Sequence, residues 1–165
     1  MEVIVILHNI RSTYNVGAIL RSCDGFGVKK AIFSGITPRV NDERLVPNLR
    51  EKLNHQIAKS ALGAERTINC APTDNLKDEF KFLRDHGYVI VGLENNIQDS
   101  RLVKISEVKE HSGNRIALIL GEEVKGIPKD LYGDIDIFAE IPMKGKKESF
   151  NVSVATGIAL YELNR

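Results

Sequence analysis

Residues 141–162 read IPMKGKKESFNVSVATGIALYE, and this stretch decides how the end of the chain folds. An apolar strand leads into a loop rich in glycine and lysine, and a nearly all-apolar helix follows. Ser149, Asn151 and Ser153 lie where that helix begins. An unpaired buried polar group costs about 1–3 kcal/mol. These side chains must therefore be hydrogen-bonded within the fold or bind a ligand.

The composition is that of an ordinary globular chain, with 42% hydrophobic and 27% charged residues among 165. This length fits one domain, 1–165. No apolar run approaches the ~20 residues of a membrane span, so we expect no membrane association. The two cysteines, Cys23 and Cys70, lie far apart, which favours reduced thiols and a cytoplasmic protein. No set of potential ligands has metal-binding spacing, so we expect no metal.

Short apolar runs rich in β-branched residues alternate with amphipathic segments. Strands are predicted at 3–7, 31–33, 67–70, 88–93, 116–120 and 135–141. Helices are predicted at 15–26, about 49–62, 74–86 and 151–164, and 34–47 is predicted to be a surface loop. Several of the strands are apolar throughout, as expected of strands covered on both faces. The alternation predicts an α/β fold with a mostly parallel sheet flanked by helices.

The first unusual strand exit is HNIRSTYNVGAILRSCDGFGV, residues 8–28. A helical stripe is predicted to face the core, and it consists of Val16, Ile19, Leu20 and Cys23. Arg21 and Asn15 lie off this stripe. On spacing alone, Arg21 is a solvated side chain paired with Asp24, and Asn15 serves equally well as a helix cap. The glycines at 25 and 27 precede a strand, which excludes a dinucleotide-binding fingerprint.

The second exit is LILGEEVKGIP, residues 118–128. Gly121 at the end of a strand lets a ligand approach the backbone closely. The GxxxxG spacing resembles a phosphate-binding loop, but Ile127 stands where that loop needs lysine, so we reject it. Glu122 and Glu123 could equally form a charged turn.

The third exit is the closing stretch itself. Lys144, Lys146 and Lys147 crowd a glycine loop that could contact phosphate. The simpler alternative is a solvated basic turn, with Ser149 capping the helix and Asn151 as a second-choice cap.

Ligands bind at the carboxyl ends of the strands in open α/β sheets, so these three exits together predict one site. They supply an arginine, a glutamate and a Ser/Asn pair, with no histidine or cysteine. This set is poorly suited to acyl transfer. It suits the binding of a small polar ligand and the orientation of a hydroxyl nucleophile.

The same three segments carry a family resemblance over nearly the whole chain. NVGAILRSCDGFGV, LILGEEVKGIP and the closing stretch resemble, in order, the three motifs of the SpoU/TrmH group of RNA 2′-O-ribose methyltransferases, within the SPOUT superfamily. The resemblance implies a deep C-terminal trefoil knot that binds S-adenosylmethionine. It also implies a homodimer with the active site at or near its interface, and tRNA or rRNA as substrate, with tRNA slightly favoured.

The resemblance also assigns site residues. The catalytic set that it implies is Arg21, as the catalytic arginine, with Asn15, Glu123, Ser149 and Asn151. The cofactor contacts that it implies, mostly through the backbone, lie near Leu93, Gly121, Ile141, Met143 and Ser149. It gives Ser153 no role.

Some positions depart from the family pattern, and they put cofactor-loop detail and substrate preference in question. Glu122 stands where a small or amide residue is common, Val124 where glycine is common, and Phe150 where leucine or methionine is common. We also expect no N-terminal RNA-binding extension. Two alternatives stay open: a catalytically inactive knotted RNA-binding protein, and an unrelated nucleotide-binding α/β domain, which the missing glycine fingerprint disfavours.

Overall fold

The computed structural model describes residues 1–165, and a seven-stranded sheet forms its centre. The strands are β1 Glu2–His8, β2 Lys30–Ser34, β3 Asn69–Thr73, β4 Val89–Leu93, β5 Leu102–Lys104, β6 Arg115–Leu120 and β7 Ile137–Glu140. Their order is β3-β2-β1-β6-β4-β7-β5, and every neighbouring pair is parallel. The predicted parallel α/β sheet is confirmed.

Helices flank this sheet on both sides. They are α1 Thr13–Gly25, α2 Pro47–Ala61, α3 Ala64–Thr67, α4 Leu76–Asp85, α5 Val108–Ser112 and α6 Val152–Asn164. Two short 3-10 helices cover Ile105–Glu107 and Lys129–Asp134. None of the helices combines the length and hydropathy needed to cross a lipid bilayer.

The core has two layers because side chains alternate across the strands. In β1, Val3, Val5 and Leu7 face the layer that α1 and α6 cover. Ile4 and Ile6 face the opposite layer, which α4 covers. The predicted core stripe of α1 is confirmed, since its four members are fully buried: Val16, Ile19, Leu20 and Cys23.

The prediction for residues 67–70 was wrong in its start and its end. Residues 64–67 form α3, and the strand runs on through Pro72 to Thr73. β3 is the last strand on its side of the sheet, so a proline without an N–H group removes no hydrogen bond to a further strand. At the opposite edge, β5 was missed because three residues are too few to show a period.

Helix boundaries shift for local reasons. The helix predicted at 74–86 begins after Asn75, whose side chain accepts a hydrogen bond from the Asp78 amide at 3.3 Å. Asp74 instead pairs with Arg39 at 2.5 Å. The buried Arg39 anchors the 34–47 segment, which is therefore a fixed loop and not a freely solvated one. α2 begins at Pro47, a residue suited to the first turn of a helix.

Candidate active site

A cavity of about 370 Å³ opens at the carboxyl ends of three adjacent strands, β6, β4 and β7. Small-molecule sites typically measure about 300–1,000 Å³. Six of the residues singled out from the sequence line it: Leu93, Gly121, Glu123, Ile141, Ser149 and Asn151. The cavity thus joins residues of the second and third predicted strand exits, whereas no residue of the first exit lines it.

Two glycines close the loop between β6 and the following 3-10 helix. The Glu122 amide donates to the Gly126 carbonyl at 3.1 Å, and the Gly126 amide donates to the Glu122 carbonyl at 2.9 Å. A Cβ atom at Gly121 would lie 2.3 Å from the Gly126 carbonyl carbon, and Gly126 has a φ of +69°. The GxxxxG spacing thus serves a tight backbone turn at the cavity wall.

The role of the segment that follows β4 was not predicted from the sequence. Asn95 donates to the Ile141 carbonyl at 2.8 Å and accepts from the Ile141 amide at 3.0 Å, so its side chain acts like a neighbouring strand. Asn96 donates to the Glu148 carbonyl at 2.8 Å. The two asparagines therefore hold both ends of the 141–149 loop against the cavity. No periodicity or motif marks them; only the run of amides in ENN was a signal.

A chain of polar side chains joins the three motifs beside this cavity. The Asn15 amide group donates to Glu123 Oε1 at 3.1 Å, and the Asn151 amide group donates to Asn15 Oδ1 at 3.2 Å. Asn151 Oδ1 accepts from the Ser153 amide at 2.9 Å and from the Ser153 hydroxyl at 2.6 Å. Ser153, which had no role from the sequence, thus ends the chain.

Glu123 lies next to the start of α1. Its carboxylate accepts from the backbone amides of Arg11 and Ser12, each at 3.3 Å. Partial burial raises the pKa of Glu123, but these hydrogen bonds, with those from its own amide and from Asn15, outweigh it and leave the pKa lowered. The carboxylate is therefore ionised at neutral pH and serves as a fixed acceptor.

Two of the simpler interpretations of these residues are wrong. Asn15 is buried and is not the helix cap, because Ser12 takes that place and accepts from the Asn15 amide at 3.2 Å. Ser149 does not cap α6, whereas the prediction of Asn151 as the second-choice cap is confirmed.

Arg21 lies apart from this polar chain. It lines a second, wider groove of about 540 Å³ between α1, α2 and α6, together with Tyr14, Lys59 and Ser153. The predicted pairing of Arg21 with Asp24 is wrong, since Asp24 accepts instead from the Thr67 hydroxyl at 2.6 Å. Ser153 connects the two sites, because it lines this groove and also bonds to Asn151.

The remaining predicted residue, Met143, is half-buried and lies two positions beyond Ile141, outside the residues that line the cavity. A cofactor contact near Met143 therefore stays a prediction. Lys144, Lys146 and Lys147 are exposed on the same loop, as the basic-turn interpretation and the phosphate interpretation both require.

The two thiols are unsuited to nucleophilic chemistry. Burial raises the pKa of Cys23 to about 12 and that of Cys70 to about 11, so both stay protonated at neutral pH.

Comparison with solved structures shows that the chain has the fold of TrmH/SpoU RNA-modifying enzymes. The TrmH/SpoU tRNA modifying enzyme of A. aeolicus superimposes with a TM-score of 0.77 at 25% identity, covering 99% of this chain and 74% of that one. The AdoMet-bound rRNA methyltransferase of Sinorhizobium meliloti gives 0.76 at 25% identity, covering 98% and 55%. The chain belongs to the SpoU rRNA Methylase family, whose model matches residues 2–161.

The names of curated relatives support this family assignment. An uncharacterized tRNA/rRNA methyltransferase of Borreliella burgdorferi is 30% identical over 98% of this chain and 63% of its own length. The 23S rRNA (guanosine-2′-O-)-methyltransferase RlmB of Coxiella burnetii is 32% identical over 98% of this chain and 58% of its own length. The chain thus spans about three fifths of the length of these two relatives.

Proposed function

We propose that this protein transfers a methyl group from S-adenosylmethionine to a ribose 2′-hydroxyl of tRNA or rRNA. The observation that carries this proposal is the hydrogen-bonded chain Glu123–Asn15–Asn151 beside the cavity, in a member of an RNA methylase family. The relative named as a 2′-O-methyltransferase of rRNA supports the 2′-hydroxyl as acceptor, and the relatives named for tRNA/rRNA leave both RNA classes as candidates.

The cavity fits the cofactor. Leu93, Leu120 and Ile141 offer an apolar wall for a purine ring, and the strand ends beside them offer backbone groups for its polar edge. When bound, the cofactor supplies a methyl group already activated on a sulfonium sulfur. The residues of this chain then have to align the acceptor and assist proton loss.

Asn15, Ser149 and Asn151 are assigned to orientation. Ser149 lines the cavity and has no hydrogen-bond partner that would occupy its hydroxyl within the fold, so it is free to contact cofactor or ribose. Asn15 and Asn151 are each held by a neighbour, so their positions are fixed before the ligand arrives.

Arg21 is assigned to the developing alkoxide. An arginine is a poor base because its guanidinium group keeps its proton, whereas a fixed guanidinium stabilises negative charge on the acceptor oxygen directly. Its separation from the cavity within one chain requires an explanation, which a second copy of the chain provides.

We infer a homodimer in which the Arg21 groove of one copy faces the cavity of the other. Large apolar side chains are exposed beside the groove and the cavity rim: Tyr14, Phe150, Val154 and Tyr161. Such a patch on helices is typical of a surface covered by another protein. A symmetric dimer that pairs through α1 and α6 would bury this patch on both copies.

A trefoil knot at the C-terminal end belongs to the same proposal. The loop at 141–149 is held by the Asn95–Asn96 segment on one side, and it lines the cavity together with the Gly121–Gly126 loop on the other. Threading of the closing chain between these two loops is consistent with these contacts. The exposed lysines 144, 146 and 147 are the proposed phosphate contacts for RNA.

Mapping 2′-O-methyl groups tests the function. RNA from cells with and without the protein should differ at one or a few ribose positions in tRNA or rRNA, and purified protein should restore the missing groups. Calorimetry with S-adenosylmethionine separates the alternatives. An unrelated nucleotide-binding domain would not bind it, and an inactive knotted RNA-binding protein would bind RNA without changing the methylation map.

A further inference from the structure

Glu94 follows β4 directly, and its carboxylate lies in the wall of the cavity. The Ile127 amide donates to Oε2 at 2.7 Å, and a Cβ atom at Gly126 would approach the same oxygen to 2.2 Å. The carboxylate is therefore packed against the glycine loop that follows β6.

No lysine, arginine or histidine pairs with this carboxylate. The two carboxylates that follow β6 do have partners. Glu122 pairs with Arg11 at 3.2 Å, and Glu123 is held by Asn15 and backbone amides. Burial raises the pKa of Glu94, and the hydrogen bonds from the Ile127 and Asn95 amides only partly offset that effect. A half-buried carboxylate with acceptor capacity to spare, facing a cavity, is typical of a ligand contact rather than of a structural ion pair.

The two residues that follow Glu94 fix its position. Asn95 makes two hydrogen bonds to the Ile141 backbone, and Asn96 bonds to the Glu148 carbonyl. Because these bonds secure the backbone just after Glu94, the carboxylate has little freedom to leave the cavity wall.

The arrangement of two neighbouring strands indicates what it binds. A glycine turn follows β6, and an acidic residue follows the adjacent strand β4. In dinucleotide-binding α/β sheets, a glycine turn lets the ligand approach the backbone, and an acidic residue at a neighbouring strand accepts hydrogen bonds from ribose hydroxyls. The same two features stand side by side here, although the connecting sequence lacks that fingerprint.

We propose that Glu94 is a specificity-determining residue that accepts hydrogen bonds from the ribose hydroxyls of the bound cofactor. This inference rests on the proposed function, because it takes S-adenosylmethionine as the occupant of the cavity. Asn95 and Asn96 act as positioning residues for it.

Calorimetric titration with nucleosides tests the proposal without any need for activity. The wild type should bind adenosine at least about tenfold more tightly than 2′,3′-dideoxyadenosine, since a hydrogen bond to a charged group contributes that much. Glu94→Ala removes the acceptor, so it should lose most of this preference and bind S-adenosylmethionine correspondingly more weakly, whereas Glu94→Gln, which keeps one neutral amide oxygen, should lose only part of it. Glu140→Gln removes a carboxylate at the end of β7, outside the cavity, and should behave like the wild type.

Thermal unfolding of each variant shows whether it is folded, and the ratio of the two nucleoside affinities is insensitive to a general loosening of the site. A folded Glu94→Ala variant that keeps the wild-type preference for adenosine overturns the inference. A variant that changes only the preference for S-adenosylmethionine over S-adenosylhomocysteine also overturns it, because the carboxylate would then face the sulfonium. A wild type that binds no S-adenosylmethionine instead overturns the proposed function.

Discussion

At the scale of single residues, Arg21 and Glu123 have different surroundings and therefore different proposed roles. Glu123 is held by Asn15 and two backbone amides at the start of α1. Arg21 lies across α1 in a groove without an ion-pair partner. The first is a fixed acceptor within the fold, and the second is a free cation available to a substrate.

Replacing Arg21 separates binding from catalysis. Arg21→Ala should reduce methyl transfer to RNA by at least about a hundredfold, the loss expected when one transition-state donor is removed. The affinity for S-adenosylmethionine should stay within about twofold, because Arg21 is assigned to the acceptor oxygen and lines no part of the cavity in its own copy. Single-turnover kinetics and calorimetry measure the two quantities. Arg66→Ala, at a side chain 81% exposed, is the control, and equal losses of rate and cofactor affinity would refute the assigned part.

Glu123 makes stability depend on pH in a defined direction. Its pKa in the folded protein lies below the ordinary value of 4.5, so the folded state binds this proton less readily than the unfolded state. The stabilisation is therefore fully present above the ordinary value and is lost as the pH falls through the lowered pKa. Urea unfolding of wild type and Glu123→Gln should differ most near pH 7 and converge in acid. A difference that grows toward acid pH would contradict this.

At the scale of elements, the sequence was informative wherever a period or a motif existed. The apolar runs predicted the inner strands, and the stripe in α1 predicted its buried face, because alternation and helical spacing are local properties. Asn95 escaped prediction because its partner, Ile141, lies 46 residues away. The site was predicted as a meeting of three loops, but the place of Arg21 in a separate groove depends on how α1, α2 and α6 pack.

The glycine turn after β6 allows a sharp test at this scale. Gly121→Ala would place a Cβ atom 2.3 Å from the backbone of Gly126 and Ile127, so the turn must open. We expect a loss of about 1–3 kcal/mol in the free energy of unfolding and a marked loss of cofactor affinity. Gly133→Ala, where a Cβ atom meets nothing within 4 Å, should change neither. Unaltered cofactor binding by Gly121→Ala would show that the turn does not shape the site.

At the scale of the whole molecule, the polar chain and Arg21 belong to one site only if two copies combine. The exposed apolar side chains beside the groove supply a surface for such pairing, with Tyr14 67% and Tyr161 55% exposed. The account therefore predicts complementation between two inactive variants.

Mixing Arg21→Ala with Asn151→Ala tests this arrangement. If each site takes Arg21 from one copy and Asn151 from the other, half of the randomly reassorted dimers carry one intact site, which gives about a quarter of wild-type activity. Each variant alone should be inactive. Sedimentation confirms that the mixture contains dimers, and a mixture that stays inactive after exchange would show that the site is not shared.

Alkaline hydrolysis of labelled RNA distinguishes methyl transfer to a ribose oxygen from transfer to a base. Protein, S-adenosylmethionine with a labelled methyl group, and RNA from cells lacking the protein are incubated, and the RNA is hydrolysed in alkali. A methylated 2′-oxygen cannot attack the neighbouring phosphate, so the account predicts that the label appears in alkali-resistant dinucleotides. Label in mononucleotides would place the methyl group on a base, and no label in any RNA would identify a binding protein; either result would contradict the account.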